Sequence, residues 1–382
     1  MDKLEIDEPV WSLGLMSGTS LDGVDTAFLS TDGVEITAFG PGSERDYAPH
    51  EIKAISAVMA DPMAHRPPET YDHNLQLKAA THEVLQSHAT AVINLLCKTD
   101  VSPELIGFHG QTVAHAPKEN WTWQVGDGAM LAKALNRPVV WDFRSNDMTF
   151  GGEGAPLAPV YHWALARYIG AREPVAFLNL GGVGNVTWVD PSAETPETDG
   201  ALIAFDTGPA NALLNDWMQQ KTGVPLDRDG AAAAKGTVHT EIVHSGNALQ
   251  DYLLRSAPKS LDRNAFTPFL DVISELSVED GAATLTALTA HCVSAALAKL
   301  PVAPARWLVC GGGRKNPTMM SMLASALNAP IDPVEIEGLD GDLLEAQAFA
   351  YLAVRSARGL PLSFPRTTDC SHPVTGGRLS LP

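Results

Sequence analysis

The stretch GLMSGTSLDGVD, residues 14–25, decides how this sequence is interpreted. Hydrophobic residues flank it at 10–13 and 27–29, which predicts two short strands joined by a turn. A minimal hairpin turn needs only about two residues, whereas this one is longer and rich in glycine and hydroxyl groups. Glycines let successive N–H groups converge on an anion. The stretch therefore suits a phosphate-binding turn, although polar side chains here equally suit capping of their own backbone.

Length and composition limit the class of protein. The chain has 382 residues, which favours two domains. Hydrophobic residues make up 45% and charged residues 19%, a globular composition. The formal net charge of −19 argues against a nucleic-acid or anionic-membrane partner, because the field repels phosphate. A nucleotide would have to be bound locally, through backbone N–H groups, a few basic side chains or a metal ion.

Cysteine usage and the N-terminal sequence predict a cytoplasmic protein. The four cysteines are far apart and form no C-x-x-C pair, which favours neither a disulfide framework nor a structural zinc site. The N-terminal sequence MDKLEIDEPVW is acidic where a signal peptide is basic and then apolar. No hydrophobic run approaches the length expected of a membrane span.

Strands alternate with helices along the chain, which predicts α/β architecture. A second unit of strand, glycine-rich turn and strand at 175–189 repeats the opening hairpin and suggests two halves of similar construction. The predicted first lobe is 1–145, with 360–382 packing back on it, and the second is 146–359. Helices are predicted at 71–96, 128–135, 160–168, 212–221, 283–300, 317–327 and 343–358, and further strands at 34–39, 105–108, 138–141, 201–205 and 307–310.

Three glycine-rich turns each follow a predicted strand, at 17–23, 181–185 and 311–313. None is a Walker A loop or a G-x-G-x-x-G fingerprint. Single glycine turns are common, but three of them favour a nucleotide held between two lobes. In the first turn, hydroxyls suit phosphate oxygens and the Asp22 carboxylate suits Mg²⁺, directly or through water.

Asp206 is the best candidate for a general base. It follows the predicted strand 201–205 and precedes a helix, where α/β sheets place ligand chemistry. A carboxylate there can take a proton from water or a hydroxyl. A helix N-cap or Asx-turn explains the residue equally well, although Asn211 is a competing N-cap candidate and weakens that alternative.

Four other polar side chains are candidates for substrate contacts or catalysis. His109 and Gln111 suit sugar hydroxyls better than a metal, since metal-ligand spacing is absent from the sequence around them. Arg144 suits a carboxylate or phosphate, and a surface ion pair equally. Glu345 lies on an otherwise apolar predicted helix, where a buried carboxylate is costly unless it is paired or functional; placement in the first helical turn offers a second explanation.

Eight motifs, in order, resemble the anhydro-N-acetylmuramic acid kinases. The resemblance extends from about residue 11 to 360. Its motifs are GLMSGTSLDGVD (14–25), FHGQT (108–112), DFR (142–144), GGEGAPL (151–157), NLGGVGN (179–185), FDTGPAN (205–211), GGGRKN (311–316) and EAQAFA (345–350).

The resemblance implies a two-lobed actin and sugar-kinase-like fold, with ribonuclease-H-like lobes and a nucleotide cleft. It also implies a reaction: ATP and water convert 1,6-anhydro-N-acetylmuramic acid into N-acetylmuramic acid 6-phosphate in peptidoglycan recycling. Asp206 would activate the water, Glu345 would help orient it, Arg144 would bind the lactyl carboxylate, and Mg²⁺ would assist phosphoryl transfer. A homodimer is implied by the resemblance alone.

The implied ligand contacts fall into three groups. For the ATP phosphates they are Ser17, Gly18, Thr19, Ser20, Asp22, Gly23, Gly181, Gly182 and Asn185; for adenosine, Gly311, Gly312, Gly313 and Asn316; for the sugar, His109, Gln111, Arg144 and Glu153. Two positions depart from the family pattern, Glu153 in place of Gln and Ala210 in place of Gly. Glu153 adds a negative charge near an anionic substrate.

Two other functions fit parts of the sequence. One is a sugar kinase of the same fold in which Asp206 deprotonates an ordinary sugar hydroxyl. The other is a non-catalytic, nucleotide-gated clamp of the actin and Hsp70 type. The polar loops FHGQT, DFR and GGEGAPL argue against the clamp, because a clamp has little use for convergent polar groups.

Overall fold

The computed structural model describes residues 6–65 and 74–382. The chain forms two compact units. The first comprises Met1–Tyr168 together with Leu343–Pro382, and the second comprises Ile169–Asp342.

The helices and strands are as follows. The strands are β1 (Val10–Ser17), β2 (Gly23–Thr31), β3 (Ile36–Asp46), β4 (Leu105–Ala116), β5 (Trp121–Val125), β6 (Val139–Trp141), β7 (Val175–Leu180), β8 (Val183–Val189), β9 (Leu202–Pro209), β10 (Arg306–Cys310), β11 (Ile331–Pro333) and β12 (Arg378–Ser380). The α-helices are α1 (Pro49–Met59), α2 (Leu75–Leu96), α3 (Gly128–Leu135), α4 (Ser145–Thr149), α5 (Pro159–Tyr168), α6 (Asn211–Thr222), α7 (Thr240–Val243), α8 (Asn247–Leu254), α9 (Phe269–Val272), α10 (Val278–Ala296), α11 (Pro317–Leu327), α12 (Leu344–Arg358) and α13 (Pro365–Thr368). The predicted first turn of α2, at 71–73, lies outside the described residues.

The sheet of the first unit begins with an antiparallel meander, β1–β2–β3. Strand β4 pairs parallel to β1, and β6 pairs parallel to β4. Strand β12 adds an antiparallel edge to β6, so the C-terminal segment returns to this unit by strand pairing instead of packing as a loop. The register places Met16 opposite Asp25 on either side of the predicted turn, which confirms the opening hairpin.

The sheet of the second unit repeats this topology. Strands β7–β8–β9 form an antiparallel meander, β10 pairs parallel to β7, and β11 pairs parallel to β10. Both sheets therefore have a three-stranded meander followed by parallel strands, the arrangement of a ribonuclease-H-like lobe. The predicted α/β class, with two units of similar construction, is confirmed.

Helix α12 packs directly on the backbone of the first sheet. A Cβ atom on Gly14 of β1 would lie 1.7 Å from the Ala346 carbonyl oxygen, and one on Gly107 of β4 would lie 2.1 Å from that of Phe349. Helix α5 joins the same unit, where the Tyr161 hydroxyl donates to Gln347 over 2.8 Å. Both helices thus belong to the first unit, whereas the predicted boundaries at 145 and 359 placed them in the second. The reason is long-range packing that sequence order does not reveal.

Helix α10 crosses the core of the second unit. With the turn that follows it, Val278–Lys299, it is the one helix among the described residues that is long and apolar enough to cross a membrane, with a mean hydropathy of 1.3. A helix was predicted at 283–300, but the expectation that no hydrophobic run approaches the length of a membrane span is wrong for this stretch. In the structure, 67% of the 18-residue window with this hydropathy is buried within the protein, which is typical of a helix that fills a core.

Candidate functional site

The loop between β1 and β2 exposes three of the four polar side chains that were predicted to contact phosphate, and Ser17 is the buried exception. Thr19, Ser20 and Asp22 are exposed. The loop turns through Leu21, whose φ of 58° is left-handed and whose N–H donates to the Gly18 carbonyl over 3.2 Å. These three polar side chains are accordingly presented to solvent, where a ligand can reach them.

Ser17 and Gln111 lie beneath this loop. Both are buried, and Gln111 is 0% exposed. The Ser17 hydroxyl donates to Gln111 Oε1 over 2.5 Å, while Gln111 Nε2 donates to the Gly18 carbonyl over 3.1 Å. Strand β4 extends through Ala116 because its second half pairs with β5, a hairpin that the sequence analysis missed. Gln111 therefore supports the loop from within the sheet, a position that does not suit the predicted sugar contact.

Tyr47 fixes both ends of the same loop. Its N–H donates to the Asp22 carbonyl over 3.0 Å, and its hydroxyl lies 2.8 Å from Ser17 Oγ. Burial raises the pKa of the phenol, which keeps it protonated. The loop is thus held by buried polar contacts that leave its tip open to solvent.

His109 and Arg144 form one structural unit in the first lobe. Arg144 Nε and Nη2 donate to His109 Nε2 over 3.2 and 3.0 Å, and Arg144 Nη1 donates to the Gly154 carbonyl over 2.7 Å. The pKa of His109 is well below its usual value, because the ring is buried and faces the guanidinium. The imidazole is therefore neutral, and it holds the guanidinium in one orientation.

Burial and neighbouring carboxylates have opposite effects on the pKa of Arg144. Burial lowers the pKa of Arg144 to about 10, while the charges of Glu345 and Asp147 raise it. Arg144 is therefore still a cation at neutral pH. Glu345 itself is exposed, at the start of a helix whose later residues are buried, so the structure brings Arg144, His109 and Glu345 into one electrostatic group.

Asp147 is a functional candidate that the sequence analysis missed. It is 1% exposed and accepts a hydrogen bond from the Gly154 N–H over 2.7 Å and from the Thr368 hydroxyl over 2.7 Å. These bonds fix the GGEGAPL loop, whose Glu153 is half-buried and donates its N–H to the Thr368 carbonyl over 2.6 Å. The D-x-x-x-x-x-x-G spacing carried no recognisable signal, because Asp147 acts through tertiary contacts.

A cavity of about 390 Å³ lies beside the middle of β4 and the end of β6. This volume is in the range of small-molecule sites. Half-buried indole rings and polar groups share its lining, which includes His109, Trp123, Gln124, Asp127, Trp141 and Ser145. An aromatic surface beside hydrogen-bonding groups suits a carbohydrate, and only His109 among these residues was singled out from the sequence.

A row of polar residues crosses the sheet of the second unit. Asn179 of β7 pairs with Asn185 of β8, and Asn185 pairs with Asp206 of β9. All three residues are half-buried. Cross-strand partners point to the same face of a sheet, so this register groups the predicted phosphate contact Asn185 with the predicted base Asp206. Asn179 was quoted in a motif but given no role.

Asp206 lies inside β9 and not after it. The strand continues to Pro209, and helix α6 begins at Asn211 with Ala210 as its N-cap. The N-cap explanation of Asp206 is therefore wrong. Asp206 Oδ2 accepts a hydrogen bond from the Leu261 N–H over 2.8 Å, and the Asp206 N–H donates to the Lys259 carbonyl over 2.9 Å. These contacts orient the carboxylate.

The turn at Gly181 and Gly182 is tied to the start of α6. The Asn211 and Ala212 N–H groups donate to the Gly181 and Gly182 carbonyls over 3.0 and 3.1 Å. Asn211 also donates its side-chain amide to the Leu180 carbonyl over 2.7 Å. The side chain of Asn211 thus fixes this turn, instead of capping the helix as predicted.

The glycines that follow β10 pack against β7. Gly311 has a φ of +72°, and a Cβ on it would lie 2.2 Å from Asn179 Oδ1. Gly312 has open space beside it. Asn316 is buried, and its Oδ1 accepts the Met319 N–H over 2.9 Å as the N-cap of α11. Helix capping thus accounts for Asn316, whose predicted adenosine contact stays untested.

The comparison with protein families decides the classification. The family model "Anhydro-N-acetylmuramic acid kinase" matches residues 10–381. The chain belongs to this family. A family member of that name from Roseobacter denitrificans is 52% identical over 374 residues, which cover 98% of this chain and 95% of that protein. Another from Rhodospirillum rubrum is 46% identical over 382 residues, covering 99% and 96%.

Two solved structures that align with most of this chain have much lower sequence identity to it. Component A of (R)-2-hydroxyglutaryl-CoA dehydratase from Acidaminococcus fermentans has 13% sequence identity and a TM-score of 0.47, covering 91% of this chain and 99% of that one. A ROK hexokinase from Thermus thermophilus has 15% identity and a TM-score of 0.38, covering 90% and 99%.

Proposed function

We propose that this protein is an ATP-dependent kinase that converts 1,6-anhydro-N-acetylmuramic acid and water into N-acetylmuramic acid 6-phosphate and ADP, within peptidoglycan recycling. The observation that carries the proposal is Asp206, a carboxylate oriented by backbone hydrogen bonds in a polar row of the second sheet. It lies in a chain that the family model matches from residue 10 to 381.

The proposed chemistry needs one base and one phosphoryl donor. Asp206 accepts a proton from water as the water oxygen bonds to C1 of the sugar. The C1–O6 bond breaks, and O6 receives the γ-phosphoryl group of ATP. The products are a C1 hydroxyl, a 6-phosphate and ADP, and the water proton leaves through Asp206. Glu345 is assigned a role in orienting that water.

We assign binding of the ATP phosphates and of adenosine to the glycine-rich turns. The exposed Thr19 and Ser20 side chains suit the ATP phosphates, together with the turns at Gly18, Gly23, Gly181 and Gly182. The exposed Asp22 carboxylate is an oxygen donor of the kind that Mg²⁺ prefers. Bound Mg²⁺ neutralises phosphate charge during phosphoryl transfer. We assign the turn Gly311–Gly313 to adenosine.

The sugar roles belong to the first unit. The Arg144 guanidinium, held by His109 and Gly154, suits the lactyl carboxylate. The cavity with Trp123 and Trp141 suits the sugar ring. We retain Glu153 as a sugar contact, since its position in the fixed GGEGAPL loop agrees with such a role.

The experiment that tests the proposal is a substrate panel with ATP and Mg²⁺ in ¹⁸O-labelled water. We expect phosphorylation of 1,6-anhydro-N-acetylmuramic acid, with the label in the C1 hydroxyl and none in the phosphate. Phosphorylation of another sugar in preference, without incorporation of label, would replace the proposal with the ordinary sugar kinase. ATP binding without any phosphorylated sugar would favour the clamp.

Arg144→Lys is expected to raise the KM for the anhydro-sugar by roughly tenfold or more, with a smaller change in kcat. Lysine keeps a positive charge but loses the planar fork that His109 and Gly154 hold in position. Steady-state kinetics with the sugar varied at saturating ATP measure the change. Arg137→Lys is the matched control, because Arg137 makes surface contacts only with Asn136 and Ser102. Equal KM values for the two variants would contradict the assignment.

Tyr47→Phe is expected to raise the KM for ATP by roughly threefold to tenfold while kcat changes less. The substitution removes the hydroxyl that contacts Ser17 and keeps the ring and the backbone bond to Asp22. ATP titrations measure the effect. Tyr168→Phe is the control, since that side chain is exposed. If Tyr47→Phe binds ATP as the wild type does, the loop conformation does not depend on this hydroxyl.

We also infer a cytoplasmic location and a homodimer. The net charge of −19 agrees with small-molecule partners and not with nucleic acid or an anionic membrane. The family resemblance is the support for the dimer. Light scattering coupled to size-exclusion chromatography tests it, and a mass equal to that of one chain would contradict it.

A further inference from the structure

A closed ring of hydrogen bonds surrounds Asp206 in the second unit. The Asp206 N–H donates to the Lys259 carbonyl over 2.9 Å. Lys259 Nζ donates to the Tyr252 carbonyl over 2.9 Å. The Tyr252 hydroxyl donates back to the Asp206 carbonyl over 2.7 Å. Each of the three residues is thus held by the other two.

Lys259 is an unusual member of this ring because it is only 5% exposed. Its Nζ lies 4.0 Å from the centroid of the Tyr252 ring and 6.0 Å from that of Phe205. The pKa of Lys259 is lowered to about 8, chiefly by burial and also by Lys299 and Arg255, against the opposing effects of Cys292 and Asp206. A buried ammonium group is costly without compensation, and the Asp206 carboxylate supplies part of that compensation.

We propose that Lys259 and Tyr252 are positioning residues for Asp206. Tyr252 fixes the backbone from which the carboxylate projects, and the Lys259 ammonium group favours the ionised carboxylate that accepts the proton from water. This inference rests on the proposed function of Asp206 as the base. A purely structural Lys259 would anchor the segment 252–259 and would affect stability without affecting the pH dependence of catalysis.

The two roles differ in the pH profile of kcat/KM. With Lys259 charged, the Asp206 carboxylate loses its proton more readily, so Lys259→Met moves the acid limb to higher pH. A purely structural Lys259 would leave the acid limb of a folded Lys259→Met variant at the wild-type pH.

The experiment compares the full-length wild type with Lys259→Met, Tyr252→Phe and Lys299→Gln over a range of pH, using the anhydro-sugar, ATP and Mg²⁺. Thermal melting of each variant shows that it is folded. We expect Tyr252→Phe to lower kcat by roughly threefold to tenfold with KM for ATP unchanged. Lys299→Gln is the matched control for loss of a positive charge, because Lys299 donates to the Leu254 carbonyl in an exposed contact, and we expect its acid limb at the wild-type pH.

A folded Lys259→Met variant with the wild-type profile would overturn the inference. If Lys259→Met does not fold, Tyr252→Phe still decides, since a folded Tyr252→Phe variant with the wild-type kcat would also overturn the inference. Failure of the proposed function looks different, because the wild type itself would then leave the anhydro-sugar unchanged at every pH.

Discussion

Asp206→Asn is expected to lower kcat by roughly a thousandfold while ATP binding stays within about twofold of the wild type. The amide oxygen of asparagine can accept the same hydrogen bond from the Leu261 N–H that Asp206 Oδ2 accepts over 2.8 Å. The hydrogen bonds that Asp206 makes with Lys259 and Tyr252 use the Asp206 backbone and do not involve the Asp206 side chain. The substitution therefore removes the base and keeps the local geometry. Steady-state kinetics and calorimetric titration with ATP measure the two effects separately.

Asp216→Asn is the matched control for this experiment. Asp216 lies on α6 of the same unit and makes an exposed ion pair with Arg263 at 3.4 Å. The variant has the same change of charge, and we expect wild-type activity because exposed ion pairs contribute little. Turnover retained in Asp206→Asn would remove Asp206 from the role of base. A simultaneous loss of ATP binding would make its role structural.

The parts of the fold that the sequence predicted depend on local pattern. The two hairpins were found because apolar runs flank turns rich in glycine, at 14–25 and 179–185. The order of helices and strands followed from the hydrophobic periodicity of each segment. Each of these patterns is formed by residues that are close together in the chain, so a single sequence is enough to reveal it.

The parts that the sequence did not predict depend on contacts between distant segments. Ser17 and Gln111 are separated by 94 residues, yet a hydrogen bond joins them beneath the loop. Asp147 reaches Thr368 across 221 residues. Neither pair has a recognisable sequence spacing. The pairing of β1 with β4 creates the first contact, and the packing of the C-terminal segment on the first unit creates the second. Asp206 was a candidate because it follows an apolar run, but its place inside β9 depended on pairing with β8.

The proposed nucleotide contacts and the proposed sugar contacts differ in how far the sequence alone revealed them. Thr19, Ser20 and Asp22 are exposed on their loop, as a ligand contact requires. The cavity near His109 takes lining residues from β5, β6 and α4, where no motif distinguishes them in the sequence. Indole rings such as Trp123 are as typical of a core as of a sugar site, so only the folded arrangement separates the two uses.

Gly14→Ala is expected to destabilise the first unit by about 3 kcal/mol or more. The added Cβ would lie 1.7 Å from the Ala346 carbonyl oxygen and 2.5 Å from the Ala350 nitrogen. Both are backbone atoms of α12, so no side-chain rotation relieves the contact and the helix must move away from β1. We expect the melting transition to fall by roughly 6–12 °C. Amide hydrogen exchange should quicken in peptides that cover β1 and α12.

Gly18→Ala is the control for Gly14→Ala, because it adds the same methyl group to the same hairpin. The nearest atom to a Cβ on Gly18 is Ser20 Oγ at 3.4 Å, an ordinary van der Waals contact with a side chain that can rotate. We expect its melting transition to stay within about 2 °C of the wild type. Comparing amide hydrogen exchange in the two variants then shows whether the faster exchange is confined to β1 and α12 or extends over the whole unit. Equal stability of the two variants would show that α12 does not need the bare backbone of β1, and that the close packing at Gly14 contributes little to the stability of this unit.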